Sequence, residues 1–138
     1  MTAKQYMNRA RRVDSEIESL LKLVQKTRES LESITQNYTG DTIQTTKNPH
    51  KYDRLVELES LVDEKIAEQI KIKEETLETI SQLKDRRQRE VLIGYYLNMR
   101  TWEQVAVDMN YSYMHITRLH GYALKGVEAI INGRTESI

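Results

Sequence analysis

From the N-terminus, apolar or small residues fall at Ala3, Tyr6, Ala10, Val13, Ile17, Leu20, Val24, Thr27, Leu31, Ile34 and Tyr38. The steps alternate between three and four, which is the seam of a left-handed coiled coil, and they hold for about five heptads. This spacing predicts one helix over 3–38, roughly 54 Å long at ~1.5 Å per residue. Its apolar stripe is narrow, so a partner helix has to cover it. A second series runs through Leu55, Leu58, Val62, Ile66, Ile70, Leu77, Ile80 and Leu83, widened by Val56, Leu61 and Ile72. Between the two series, 39–51 (TGDTIQTTKNPHK) breaks the pattern and reads as a loop. Gly40 can end the first helix there, and Pro49 disfavours helix at Asn48. A link this short between two long helices predicts an antiparallel hairpin, placed at 1–83. The widened stripe on the second helix predicts contact with more than one helix, and hence a homodimer.

Beyond Leu83 the helical spacing persists, but the helices shorten. Val91, Leu92, Tyr95 and Tyr96 mark one that ends near Asn98. Trp102, Val105, Ala106 and Met109 mark a second, and Ile116, Leu119, Ala123, Leu124, Val127 and Ile130 a third. The expected fold is therefore all-α: a long antiparallel helical hairpin (a coiled coil) followed by a three-helix unit at 84–138. Within that unit, 101–120 satisfies one geometry in register. Thr101 is an N-cap, and Gln104 three residues on completes a capping box. Val105 and Met109 point inward, and Ala106 is small where two helices must touch. Asn110 stands where a tight turn needs left-handed backbone, which asparagine tolerates. Tyr111 plugs the turn, Ser112 caps the next helix, and Ile116 and Leu119 bury it. This is the pattern of a helix-turn-helix, which places its second helix, here about 112–130, in the major groove of DNA.

Composition narrows the function classes. The 138 residues carry 21 Lys+Arg against 21 Asp+Glu, so the chain as a whole is not polybasic. Its charge is uneven: +2 over 1–37 (seven basic, five acidic), −4 over 38–83 (six, ten) and +2 over 84–138 (eight, six). There is no cysteine, hence no disulfide, thiolate zinc site or Cys nucleophile. Gly-rich phosphate loops, HExxH and GxSxG are missing too, which argues against an enzyme. His115 and His120 are five apart and diverge around a helix, so neither a metal nor a cofactor is expected. No apolar stretch suits a signal peptide or a membrane span, and the expected location is the cytoplasm.

The run Leu83…Arg86-Arg87-Gln-Arg-Glu-Val91-Leu92…Tyr95-Tyr96-Leu97-Asn98…Thr101-Trp102-Glu103-Gln104-Val105-Ala106…Met109-Asn110-Tyr111-Ser112…Ile116…Arg118-Leu119-His120…Ala123-Leu124 resembles region 4 of sigma-70-type factors. Most of the chain resembles small phage proteins of Gram-positive bacteria, loosely grouped with the RinA/ArpU-type phage transcriptional regulators. These open with a T-A-K-Q-Y-h-x-x-A-R-R signature, matched here by Thr2-Ala3-Lys4-Gln5-Tyr6…Ala10-Arg11-Arg12. The resemblance implies a DNA-binding regulator of phage or prophage genes. It leaves 39–51 uncovered, and Met99 and Asn110 stand where that family usually has glycine. Asn98 or Asn110 is expected to supply the left-handed backbone.

With Ile116, Leu119 and Ala123 inward, the outward residues in the early turns of the last helix are Tyr113, Met114, His115, Thr117 and Arg118, the candidates for base edges. Arg118 suits a bidentate guanine contact, while Met114 and Tyr113 suit thymine methyls. The resemblance also puts Tyr113, Met114 and Arg118 at base-reading positions. Candidate phosphate contacts are Tyr122, Lys125, Thr101, Arg86, Arg87 and Arg89, joined by Arg9, Arg11 and Arg12, which the antiparallel hairpin brings to the same end. Competing readings are that the tyrosines cover the hairpin, and that the arginines form ordinary pairs such as Arg86–Glu90. The expected partners are double-stranded DNA, a second copy of the chain and RNA polymerase, with no membrane or small-molecule substrate. Two alternatives share these parts: a DNA-packaging protein of the small-terminase type, and an RNA-polymerase-interacting adaptor.

Overall fold

A computed structural model describes residues 1–36 and 50–136, and from Ala3 on these lie in helices or in the short segments between them. The helices are α1 (Ala3–Met7), α2 (Arg9–Gln36), α3 (Lys51–Ser81), α4 (Arg86–Leu92), α5 (Trp102–Met109) and α6 (Tyr113–Glu136), with a π-helical turn Ile93–Leu97 following α4. The expected loop at 39–51 lies outside the described residues except for its end, where Lys51 already opens α3.

The first predicted helix is interrupted at Asn8, although the Asn8 N–H still reaches the Lys4 carbonyl and the Arg12 N–H the Asn8 carbonyl, each at 3.0 Å. The start of α1 is set by Thr2, whose hydroxyl accepts from the Gln5 N–H at 3.1 Å while the Gln5 side chain accepts from the Thr2 N–H at 2.8 Å. That reciprocal capping box satisfies two donors that would otherwise have no partner at the helix start.

The chain divides into two compact units, and the division is not the one at residue 83 that the change of texture predicts. One unit is 13–68, an antiparallel pair of helical segments. There Val24, Leu58 and Val62 are buried with Leu20 and Leu55 against them. Arg28 meets Glu59 at 2.6 Å and Lys65 meets Glu16 at 2.9 Å, which fixes the antiparallel register. The other unit joins 1–12 and 69–138. The physical reason is burial. Ala3, Met7 and Ala10 sit in one core with Ile80, Leu83, Leu92, Tyr96, Leu97, Ala123 and Val127. Polar contacts repeat the pairing: the Tyr6 hydroxyl lies 2.7 Å from Thr79 Oγ1, and the Gln69 amide donates to the Ala10 carbonyl at 2.9 Å. The helix-turn-helix is therefore not a free-standing 84–138 domain, because its core includes the first and third helices.

A second core in this unit holds Val91, Val105, Ala106, Ile116 and Leu119. Helix α6 spans both, giving Ile116 and Leu119 to one and Ala123 and Val127 to the other. Gly126 allows the closest approach: a Cβ there would stand 2.6 Å from Leu83 Cδ2.

Met7 is fully buried, so Met7→Ala leaves a cavity and costs about 2–5 kcal/mol. Thermal or urea unfolding monitored through Trp102, which packs in the same unit, measures the loss. A change below about 1 kcal/mol would contradict the placement of 1–12 within this core.

Candidate nucleic-acid interface

The turn between α5 and α6 is built as its residues suggest. Thr101 Oγ1 accepts from the Gln104 N–H at 3.1 Å, and the Gln104 side chain accepts from the Thr101 N–H at 2.9 Å. Asn110 adopts φ 58°, ψ 44°, the left-handed conformation that ends α5. The Tyr111 N–H then reaches back to the Ala106 carbonyl at 3.0 Å, closing a Schellman-type end. Ser112 Oγ accepts from the His115 N–H at 3.1 Å and starts α6. The second left-handed residue is Met99, at φ 56°. Asn98, at φ −94°, is not left-handed, so of the two asparagines only Asn110 plays the part expected. A methionine in that conformation costs on the order of 1–2 kcal/mol; its side chain packs against the first core.

Helix α6 turns its early residues outward. Tyr113, Met114 and Tyr122 are 53%, 65% and 60% exposed, and Thr117, Arg118 and Lys125 are exposed as well. Met114 and Arg118 meet on this face, with the guanidinium 3.8 Å from the sulfur. Lys125 Nζ lies 5.9 Å from the Tyr122 ring centroid, so these two share a patch further along the helix. His115 is less free: it is half-buried, with its ring 4.3 Å from that of Tyr111. The Thr117 hydroxyl donates to the Tyr113 carbonyl at 3.0 Å, so its proton is already used and its oxygen remains an acceptor.

The nine candidate phosphate contacts separate on inspection of their partners. Arg89 donates to the Leu83 carbonyl at 2.6 Å and the Lys84 carbonyl at 3.1 Å, closing the turn between α3 and α4. Arg11 donates to the Tyr95 carbonyl at 2.7 Å and lies 4.0 Å over the Tyr95 ring. Arg9 lies over Tyr6, donates to the Tyr6 carbonyl at 3.1 Å and pairs with Glu75 at 3.5 Å. Thr101 is used as a cap. Arg9, Arg11 and Arg89 thus spend donors on backbone carbonyls, and the exposed Thr101 accepts a backbone N–H at the start of α5. The Tyr95 carbonyl that Arg11 takes lies in the last turn before Asn98, where helix carbonyls lack an intrahelical partner.

Arg86, Arg87 and Arg12 remain at the surface. Arg86 pairs with Glu90 at 2.9 Å and is 83% exposed. Arg87 pairs with Asp85 at 3.4 Å. The Asp85 carboxyl is held below its usual range chiefly because it caps α4, accepting from the Arg87 N–H at 2.8 Å. Arg12 donates to the Gln5 carbonyl at 3.2 Å. Exposed pairs of this kind contribute little to stability and exchange readily for an anion. Arg100, absent from the expected set, forms a two-pronged pair with Asp108, both contacts at 3.0 Å, and ties the loop before α5 to that helix's last turn.

Beside the early turns of α6 lies a cleft of about 270 Å³. Tyr113 and Thr117 form one wall, and Lys4 and Asn8 the other. Its floor is aromatic: Tyr95 stacks on Trp102 with centroids 3.7 Å apart, and His120 lies 4.5 Å from Trp102. His120 Nε2 is 2.6 Å from the Tyr96 hydroxyl. Burial pushes the His120 pKa down to about 4, with Lys4 adding a smaller push the same way, and the Tyr96 hydroxyl is raised by its own burial. Neither Lys4 nor Asn8 stands out in sequence by charge clustering. The signal was positional: they are four apart, next to the buried pair Ala3 and Met7.

Among the described residues no group of three or more His, Asp or Glu is placed to hold a metal, and no helix is long and apolar enough to cross a membrane. Comparison with protein-family models, curated proteins and solved structures finds no match to this chain.

His120 is neutral in the fold and binds its proton only near pH 4, whereas the unfolded chain binds it near 6.5. Stability carried by this difference is complete above pH 6.5 and is lost as pH falls from there to about 4. The urea midpoint should therefore drop between pH 7 and 5, and His120→Gln should flatten that part of the curve. Equal slopes in both proteins would show that His120 titrates normally.

Proposed function

We propose that the protein is a sequence-specific regulator that binds double-stranded DNA, seating the first turns of α6 in the major groove. The observation that carries the reading is the turn at Asn110: the short α5 packed on the longer α6 and joined to it by left-handed backbone, with the front of α6 left open at Tyr113, Met114, Thr117 and Arg118. A helix about 10–12 Å across fits a major groove about 12 Å wide. Arg118, exposed and without a carboxylate partner among the described residues, supplies the planar fork that suits guanine. Arg86, Arg87, Arg12 and Lys125 supply exposed cations for the backbone. By the family resemblance of the sequence, the genes controlled are those of a phage or prophage.

The homodimer is part of the same proposal. In the unit 13–68, Leu21, Leu23, Tyr52, Val56, Leu61 and Ile66 are all at least 38% exposed. Of these, Leu23, Val56 and Leu61 line one groove together with Leu20, and an exposed apolar groove on a hairpin suits a second hairpin. Sedimentation equilibrium should give twice the 16.3 kDa of one chain; a single-chain mass at micromolar concentration would remove the dimer from the account.

One observation favours a second reading. Val107 is 79% exposed, and with Tyr113, Met114 and Tyr122 it adds apolar surface to the helix-turn-helix. A protein such as RNA polymerase would bury that surface, as an adaptor requires.

Replacing Arg118 by Ala discriminates between the readings. Loss of a bidentate base contact costs about 1–3 kcal/mol, or roughly 5- to 150-fold in affinity for the specific site. Affinity for unrelated duplex should fall much less. Equal affinity of the wild type and variant for promoter DNA would shift the function to protein contacts.

A further inference from the structure

We propose that the N-terminal segment completes the DNA interface: Lys4, with Asn8 and Tyr113, grips a backbone phosphate of the strand that borders the groove holding α6. The inference rests on the DNA-binding reading above and deepens it.

Helix α1 is positioned by its buried side. Ala3 and Met7 enter the core that also contains Ala123 and Val127 of α6, so α1 packs on α6 itself. Lys4 and Asn8 follow Ala3 and Met7 by one residue each and share the adjacent face, four residues apart. That face forms one wall of the cleft whose other wall is Tyr113 and Thr117 on the outward side of α6.

The chemistry of the cleft selects an anion. No carboxylate lines it. The Lys4 ammonium is exposed and has no ion-pair partner among the described residues, in contrast to Arg9, Arg86 and Arg87. His120 is neutral at pH 7, so Lys4 carries the charge of the cleft. The ammonium of Lys4, the amide of Asn8 and the hydroxyl of Tyr113 all offer donors, and phosphate oxygens only accept. A free small anion would meet the same donors. The position decides for DNA: a helix lying in the major groove brings the surfaces beside it against the two flanking backbones, where contacts fix orientation and carry no sequence information. The aromatic floor of Tyr95 and Trp102 suits the adjoining deoxyribose.

The test is duplex binding by fluorescence anisotropy with the full chain, from 50 to 200 mM KCl, comparing wild type, Lys4→Gln and Lys4→Arg. One phosphate contact contributes about 0.9 to the slope of log affinity against log salt. Lys4→Gln should therefore flatten the slope by about 0.9 and weaken binding about eight-fold at 0.1 M salt. The loss should be equal for specific and unrelated sequences, and Lys4→Arg should restore the slope. Thermal melting of each variant confirms an intact fold. If the wild type binds duplex and Lys4→Gln leaves the slope unchanged, the Lys4 contact is wrong and the DNA reading stands. If the wild type binds no duplex at 50 mM salt, both fall. If Lys4→Gln abolishes binding of inorganic phosphate to the protein yet leaves duplex binding unchanged, the cleft is a site for a free anion and the backbone contact is wrong.

Discussion

The outward row of α6 depends on that helix being buried along one side by two different cores. Ile116 and Leu119 pack with α5 and the start of the three-helix unit, while Ala123 and Val127 pack with α1, α3 and α4. A helix held at both ends of its inner face cannot roll, so the residues opposite are held outward. Gly126 shows how close that contact is, since one added carbon would overlap Leu83. The exposed row of Tyr113, Met114, Thr117 and Arg118 is thus a consequence of packing. In an isolated helix those same side chains would have no fixed direction.

The same constraint explains why the N-terminal segment belongs with the C-terminal helices. The heptad seam alone describes a hairpin that ends where α3 ends. In three dimensions the small residues Ala3 and Ala10, with the fully buried Met7, give α1 and the start of α2 close access to the α6 core. Thr2 and Gln5 cap the segment and so allow it to stand as a short helix of its own. The surface beside the early turns of α6 is then built from two elements side by side, α1 and α6, with an aromatic floor between them.

Much of this was legible in the residues. The two long helices, the capping boxed start of α5, the left-handed Asn110 and the inward series on α6 all follow from local rules of capping, spacing and backbone conformation, which act within a few residues. What escaped the sequence is long-range. Charge spacing cannot tell an arginine that meets solvent from one that meets a backbone carbonyl, and Arg9, Arg11 and Arg89 proved to be of the second kind. The π-helical turn at Ile93–Leu97 has no strong sequence signal, yet it holds the carbonyl acceptor for Arg11. The division of the chain escaped for the same reason, because residues 69 or more apart in sequence, such as Tyr6 and Thr79, meet only when the helices pair.

The most direct measurement of the central claim, that the outer edge of α6 meets duplex DNA, is amide chemical-shift mapping of the nitrogen-labelled protein as duplex is added at low salt, where backbone attraction is strongest. The account predicts the largest shifts at Tyr113, Met114, Thr117 and Arg118, with smaller ones reaching α1. Shifts confined to 52–66, or none at saturating duplex, would contradict it.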